Sequence, residues 1–296
     1  MKGVFDARKS LRVLAEEWTG CTDCSLGTTR ELRGGHQVFG AGTDKRGILF
    51  LGSEPDMAGE RESRAVGGKG GMLLARLLDH FRVKNFFVTN LVACLSCTPM
   101  LDEQGNQMFS KGYRGQLPAP RYKEQHALRP QIVACANRVF EEIYIIDPLI
   151  IVTMGQLAAA TLRGSSFNLV RERGTAETIS IPGAGHTAVL SPKRKEWLRK
   201  VHGQMVSPTE RSSVRYTMIP TLHPSDVRDS LNDNHNGNPF ELFTRDVRIA
   251  KKLYDTYNEE LYGHVPDDYM KSLEHTPYDI AEEFNREDEA ERNGDE

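Results

Sequence analysis

Apolar residues fall into two kinds of pattern along this chain. Four short runs are continuously apolar: Gly47-Ile48-Leu49-Phe50-Leu51-Gly52, Phe86-Phe87-Val88-Thr89-Asn90-Leu91-Val92, Leu149-Ile150-Ile151-Val152-Thr153-Met154 and Tyr216-Thr217-Met218-Ile219-Pro220. A strand apolar on both sides has both faces covered, as in a parallel sheet under helices. Other stretches carry apolar residues at helical spacing. Leu11, Leu14 and Trp18 share a face between Phe5 and Trp18, and Leu74, Leu77, Leu78 and Phe81 recur at i, i+3, i+4 and i+7. Ile132, Cys135, Val139 and Ile143 form a third such face, and Phe243, Val247, Ala250 and Tyr254 a fourth. The alternation predicts an α/β fold, a three-layer α/β/α arrangement around a central four-stranded, mostly parallel sheet.

In such sheets reactive groups gather at the carboxyl ends of the strands. Three of the four runs end in polar candidates there: Ser53-Glu54-Pro55-Asp56, Thr89-Asn90 and His223-Pro224-Ser225. Residues 1–260 are expected to form one domain with two insertions, near 95–129 and 174–215. The second insertion contains Lys193-Arg194-Lys195-Glu196-Trp197, and between 193 and 215 seven basic residues face two acidic ones. Residues 261–296 lose apolar periodicity and are expected to be a flexible acidic tail.

Charge sharpens that division. The 296 residues carry a net charge of −3, but from His264 to Glu296 twelve acidic residues outnumber three basic ones. The rest of the chain holds 35 basic residues against 29 acidic, a net +6. A basic body suits a polyanionic partner. No apolar run approaches the roughly 20 residues of a membrane span. The N-terminal residues lack a signal-peptide core. With five cysteines, a poor disulfide framework, a reducing cytoplasmic setting is expected.

Cys21 and Cys24 form Cys-x2-Cys, Cys94 follows the second strand, and Cys135 lies on the next helix. Four soft ligands suit either a zinc ion or an iron–sulfur cluster, and spacing alone does not separate the two. Cys135 could equally be a buried core thiol, and Cys97 is a surplus thiol able to compete as a ligand.

Taken together and in order, these pieces resemble the uracil-DNA glycosylase superfamily, specifically its iron–sulfur branches of the family 4 and family 5 types. The matching residues are Cys21-x2-Cys24-x-Leu26 with Arg30; Val38-Phe39-Gly40-x-Gly42; Ile48 to Gly52 running into Pro55; and Gly68-x2-Gly71-x-Leu73-Leu74. Thr89 to Cys94, Cys135, Ile151 to Gly155 with Ala158-Ala159, and His223-Pro224-Ser225 complete them. The resemblance implies a [4Fe-4S] cluster on Cys21, Cys24, Cys94 and Cys135, structural in role. It implies that His223 stabilises negative charge on the pyrimidine O2 and that Asn90 reads the base edge. Glu54 stands near the place of a water-positioning acid, with Asp56 and Glu60 as substitutes. Ser53 and Val66 would adjoin the base, and Ser225, Arg228, Lys193, Arg194 and Lys195 would contact DNA.

The chain departs from the pattern in three places, one of them the long insertion between Cys94 and Cys135. Family 4 reads Gly-Glu-Ala-Pro-Gly where this chain has Gly52-Ser53-Glu54-Pro55-Asp56, and Val66 stands where an aromatic stacks on uracil. A wider pocket would admit a bulkier pyrimidine, hydroxymethylated or glycosylated. His126 lies where a DNA-crosslinking branch carries a reactive histidine, although Tyr122-Lys123-Glu124-Gln125 does not match that branch's basic motif.

Chemically, cleaving an N-glycosidic bond in DNA requires an extruded base, aimed donors for the departing anion, and a carboxylate for water and the cationic sugar. The expectation is a monomeric, DNA-binding glycosylase that leaves an abasic site, acting on double- or single-stranded DNA. Its amide, imidazole and carboxylate are expected to line one cavity. A non-catalytic iron–sulfur DNA-binding module of the same fold, and a zinc-held domain, are the rival readings.

Overall fold

A computed structural model describes residues 7–43, 46–110, 120–182, 213–229 and 238–263. The helices are α1 (Ala7–Trp18), α2 (Ser25–Arg33), α3 (Met57–Glu62), α4 (Gly68–His80), α5 (Arg129–Ile146), α6 (Gln156–Arg163), α7 (Leu169–Glu172), α8 (Pro224–Asp229) and α9 (Pro239–Tyr262). The strands are β1 (Ala41–Gly42), β2 (Ile48–Gly52), β3 (Phe86–Asn90), β4 (Cys97–Pro99), β5 (Tyr122–Glu124), β6 (Ile150–Met154), β7 (Glu177–Pro182) and β8 (Ser213–Thr221).

The central sheet has six strands in the order β1-β3-β2-β6-β8-β7 and is mostly parallel. β6 and β8 run parallel in the register Ile150↔Thr217 to Met154↔Thr221. Every residue of β2 and β6 is buried, as strands covered on both faces require. The sheet is therefore two strands wider than its four continuous apolar runs suggest. β1 is only two residues long, too short to leave a pattern. β7 pairs antiparallel with β8, from Glu177↔Met218 to Pro182↔Ser213. Its Ile179 and Ile181 are buried while the intervening positions alternate, so β7 is an edge strand inside the stretch read as an insertion. In the described part of the other insertion β4 and β5 pair antiparallel, with Cys97↔Glu124 and Pro99↔Tyr122.

The chain forms two compact units. The first comprises Met1–Ala41, Leu51–Gly68 and Val88–Ile145; the second comprises Gly42–Phe50, Lys69–Phe87 and Ile146–Glu296. β2 and β3 pass from the second unit into the first near their carboxyl ends, so the residues that follow them belong to the first.

In the second unit α9 starts at Pro239 under an Asn238 cap, whose side chain accepts the Phe240 N–H at 3.1 Å. Its buried face, Phe240, Phe243, Val247, Ala250 and Tyr254, follows the expected helical spacing. Asp246 on that face is fully buried, ion-paired to Arg173 at 2.8 Å and bonded by the Thr221 hydroxyl at 2.8 Å. Among the described residues no helix is long and apolar enough to cross a membrane.

Candidate active site

The loop after β2 belongs to the first unit. It is pinned by backbone bonds from the segment after β3: Leu91 N–H to the Gly52 carbonyl (2.9 Å) and Val92 N–H to the Ser53 carbonyl (3.0 Å). Ser53 is buried at 8% exposure. The three acidic candidates here part company. Asp56 caps α3, accepting the Gly59 N–H at 2.5 Å. Glu60 is gripped on both oxygens by the Arg33 guanidinium, at 2.9 and 2.6 Å. Glu54 alone has neither duty. Its Oε1 lies 2.8 Å from His126 Nδ1 and its Oε2 accepts the Ala127 N–H at 3.4 Å. The carboxylate is 13% exposed and the imidazole 88%. His126, placed by sequence in the insertion, is thus a partner of the candidate acid, a pairing across 72 residues that no local pattern signals.

Asn90 ends β3 and is 1% exposed. Its Nδ2 donates to the Ala65 carbonyl at 2.6 Å, and its Oδ1 is buried with no hydrogen-bond partner among the described residues. The amide orientation follows from that contact, since the reverse would set two oxygens against each other. An unpaired buried acceptor costs free energy unless something arrives to fill it. Val66, next to Ala65, is itself buried at 7% exposure.

In the second unit β8 leads into His223. The Ser225 N–H donates to His223 Nδ1 at 3.3 Å, so the neutral imidazole carries its proton on Nε2. Ser225 presses on the first turn of α4. A Cβ built on Gly70 would stand 2.5 Å from Ser225 Oγ and 3.0 Å from its backbone nitrogen. The glycine-rich start of α4 is therefore a seat for the His-Pro-Ser turn. Arg228 sits half-buried on α8. Lys193, Arg194 and Lys195 lie outside the described residues.

The thiols also sort themselves within the first unit. Burial pushes the Cys94 thiol up to about 11; the Arg30 charge opposes this, and the nearby Cys135 and Cys24 add to it. Burial raises the Cys21 thiol too, with Cys135 contributing. Cys21, Cys24, Cys94 and Cys135 thus form one connected neighbourhood. Buried Arg30 donates to Cys94 Sγ at 3.9 Å and supplies positive charge beside it. Gly27 lets the Cys21–Cys24 turn fold back on α2, since a Cβ there would meet the Cys21 carbonyl oxygen at 2.5 Å. Cys97 feels a different set: burial raises its thiol, Arg33 opposes that, and Glu60 and Glu124 add to it. Among the described residues no group of three or more His, Cys, Asp or Glu side chains is arranged to hold a metal ion. The donor set, four thiols with a buried cation at hand, is nonetheless the chemistry an iron–sulfur cluster takes.

A family model described as the uracil DNA glycosylase superfamily matches residues 39–248, a stretch that runs through both units. The chain is 27% identical over 156 residues to a type-4 uracil-DNA glycosylase of Saccharolobus solfataricus, covering 52% of this chain and 59% of that one. It is 28% identical over 150 residues to a type-4 uracil-DNA glycosylase of Sulfurisphaera tokodaii, covering 50% and 55%. The chain therefore spans little more than half the length of the curated relatives it matches.

Proposed function

Since this chain belongs to the uracil DNA glycosylase superfamily, we propose that it is a monofunctional DNA glycosylase that excises uracil and leaves an abasic site. Residues 1–260 act as one glycosylase domain in this reading. The observation that carries it is Asn90: a buried amide whose donor is fixed on Ala65 and whose acceptor is unpaired. Such an acceptor suits the N3–H of a uracil-type base, and a site built around it penalises a ligand without that proton.

The remaining groups divide the work. The extruded base presents N3–H to Asn90 Oδ1. The His223 Nε2–H donates to O2, where charge builds as the pair of the C1′–N1 bond passes to the base. Glu54 orients a water for attack at C1′ and takes its proton, while its charge favours the cationic sugar. The leaving base is protonated from solvent. Ser225 and Arg228 hold the DNA backbone, as Lys193, Arg194 and Lys195 would. Cys21, Cys24, Cys94 and Cys135 would hold a [4Fe-4S] cluster, with Arg30 offsetting its negative charge. Such a cluster would serve as a structural brace.

The test is a panel of oligonucleotides, each with one altered base. Uracil release with an alkali-labile site, strongly slowed but still measurable in Asn90→Ala and His223→Ala, supports the reading. Release only from hydroxymethylated or glycosylated pyrimidines assigns a bulkier substrate. Binding without release from any member supports a non-catalytic module.

A second reading has its own observation, the 2.8 Å contact between His126 and Glu54. With Nδ1 against the carboxylate, His126 Nε2 could attack C1′ in place of water. The C1′–N1 pair again leaves with uracil, and an imidazole–deoxyribose bond remains. A DNA adduct stable to boiling detergent and absent in His126→Ala distinguishes this from hydrolysis.

A further inference from the structure

Among the described residues the Asn90 side chain is held at one point, the Ala65 carbonyl. Its peptide to Leu91 is held from two sides: the Leu91 N–H by the Gly52 carbonyl, and the Asn90 carbonyl from α5. Arg138 there is 0% exposed, and its Nη2 donates to the carbonyl of Asn90 at 2.5 Å and of Leu91 at 3.2 Å. Its Nη1 pairs with Glu142 Oε2 at 2.9 Å and reaches Thr89 Oγ1 at 3.5 Å. Glu142, 3% exposed, also accepts the Thr89 hydroxyl at 2.5 Å and the Gly40 N–H at 3.2 Å. One buried guanidinium and one buried carboxylate therefore engage three successive residues, Thr89, Asn90 and Leu91.

This arrangement is a poor device for stability alone. Removing two charges from water costs several kcal/mol per ion, and apolar packing of similar volume often serves as well. What the pair supplies is direction. Carbonyls at the end of a strand need donors, and here one nitrogen of a planar guanidinium meets two successive ones while the other is anchored on Glu142, which fixes its plane. The peptide after Asn90 is one of them, so tilting it turns the Cα–Cβ bond that aims the amide.

We propose that Arg138, held by Glu142, is a positioning residue that sets the orientation of the Asn90 amide toward the base. It touches no substrate and acts through Asn90. Cys135 lies one turn before Arg138 on α5, and Cys94 lies four residues beyond Asn90. The thiol neighbourhood thus involves the same two segments. This inference rests on the glycosylase reading above.

The experiment is a double-mutant cycle read in single-turnover uracil excision at saturating enzyme, with DNA affinity, cluster absorbance and thermal unfolding followed in parallel. Arg138→Lys keeps a charge but has one nitrogen where the guanidinium uses two, Nη2 for both carbonyls and Nη1 for Glu142; Arg138→Gln removes the charge. The expected result is a fall in saturating rate of about tenfold to a hundredfold, as a displacement approaching 1 Å produces, with DNA affinity unchanged within about twofold. In an Asn90→Ala background the same substitutions should slow excision by less than about twofold, because the group they aim is gone. An equal fold-loss in both backgrounds means that Arg138 acts through general integrity and overturns the proposal, as does an Arg138→Lys variant with the parent rate. If Arg138→Gln fails to fold, the Arg138→Lys cycle decides alone. A parent protein that releases no base from any oligonucleotide overturns the glycosylase reading and this inference with it; an active parent with additive variants overturns this inference only.

Discussion

Replacing Gly70 with alanine adds one methyl group at the seat of the His223 turn, and its consequence can be worked from distances. The new Cβ would lie 2.5 Å from Ser225 Oγ, 3.0 Å from Ser225 N and 3.1 Å from Ser225 Cα. The hydroxyl can rotate away; the backbone atoms cannot. Carbon contacts settle near 3.5–4.0 Å, so the Ser225 backbone must retreat by about 0.5 Å. Ser225 N–H is the group that holds His223 Nδ1, so the imidazole moves with it. A 1 Å misplacement can cost about a hundredfold in rate, which puts half that distance near tenfold. Overpacking costs about 1–3 kcal/mol, against about 1 kcal/mol gained from glycine to alanine in a helix. The Gly70→Ala variant should therefore stay folded, lose little in melting temperature and turn over about tenfold more slowly at unchanged DNA affinity. The assay is single-turnover release of uracil, beside a thermal melt. Adding Ser225→Ala should leave the defect in place, because the pressure falls on backbone. A Gly70→Ala enzyme with the parent rate and melting temperature refutes the reasoning, and full rescue by Ser225→Ala shows that only the side chain was pressed.

Other perturbations have equally definite outcomes. Arg33→Ala strands the Glu60 carboxylate, which shares 11% exposure with its partner, and removes the guanidinium from over the Tyr122 ring at 5.5 Å; urea unfolding should register a loss of about 3 kcal/mol. His223→Ala should cut uracil release by at least about a hundredfold, the scale of losing one aimed donor to a developing anion, without weakening DNA binding in an electrophoretic shift. Cys94→Ser should abolish the broad visible absorbance of anaerobically purified protein, whereas Cys97→Ser should retain it. Retention in Cys94→Ser with loss in Cys97→Ser would reassign the ligand set.

Much of the fold was readable because burial on both faces leaves an unbroken apolar run. Ile48–Gly52 and Ile150–Met154 announce themselves in that way, and the helical faces of α4, α5 and α9 follow from simple periodicity. β7 escaped because an edge strand alternates, and its two isoleucines lie between Pro-, Gly- and charge-rich neighbours that suggest a loop. Short α3 and α8 carry too few turns for a period; their caps and proline starts are clearer than their faces. At the site, residue types at strand ends pointed to Asn90, Glu54 and His223, but partners did not. Asp56 is by residue type a good helix cap and an equally good sugar-facing acid, and sequence does not choose between the two. Nor does local sequence reveal that His126 reaches Glu54, or that Arg138 reaches the Asn90 carbonyl. Those are long-range pairings, set by where the elements pack.

The most direct test of the central claim compares 2′-deoxyuridine with its N3-methyl analogue in one oligonucleotide, with released base measured in a single turnover. An enzyme that relies on the unpaired Asn90 acceptor should release uracil and slow by at least about a thousandfold on the methylated base, and Asn90→Ala should erase that preference. Equal release of both bases by the parent enzyme, or release of neither while the DNA is bound, would contradict the account.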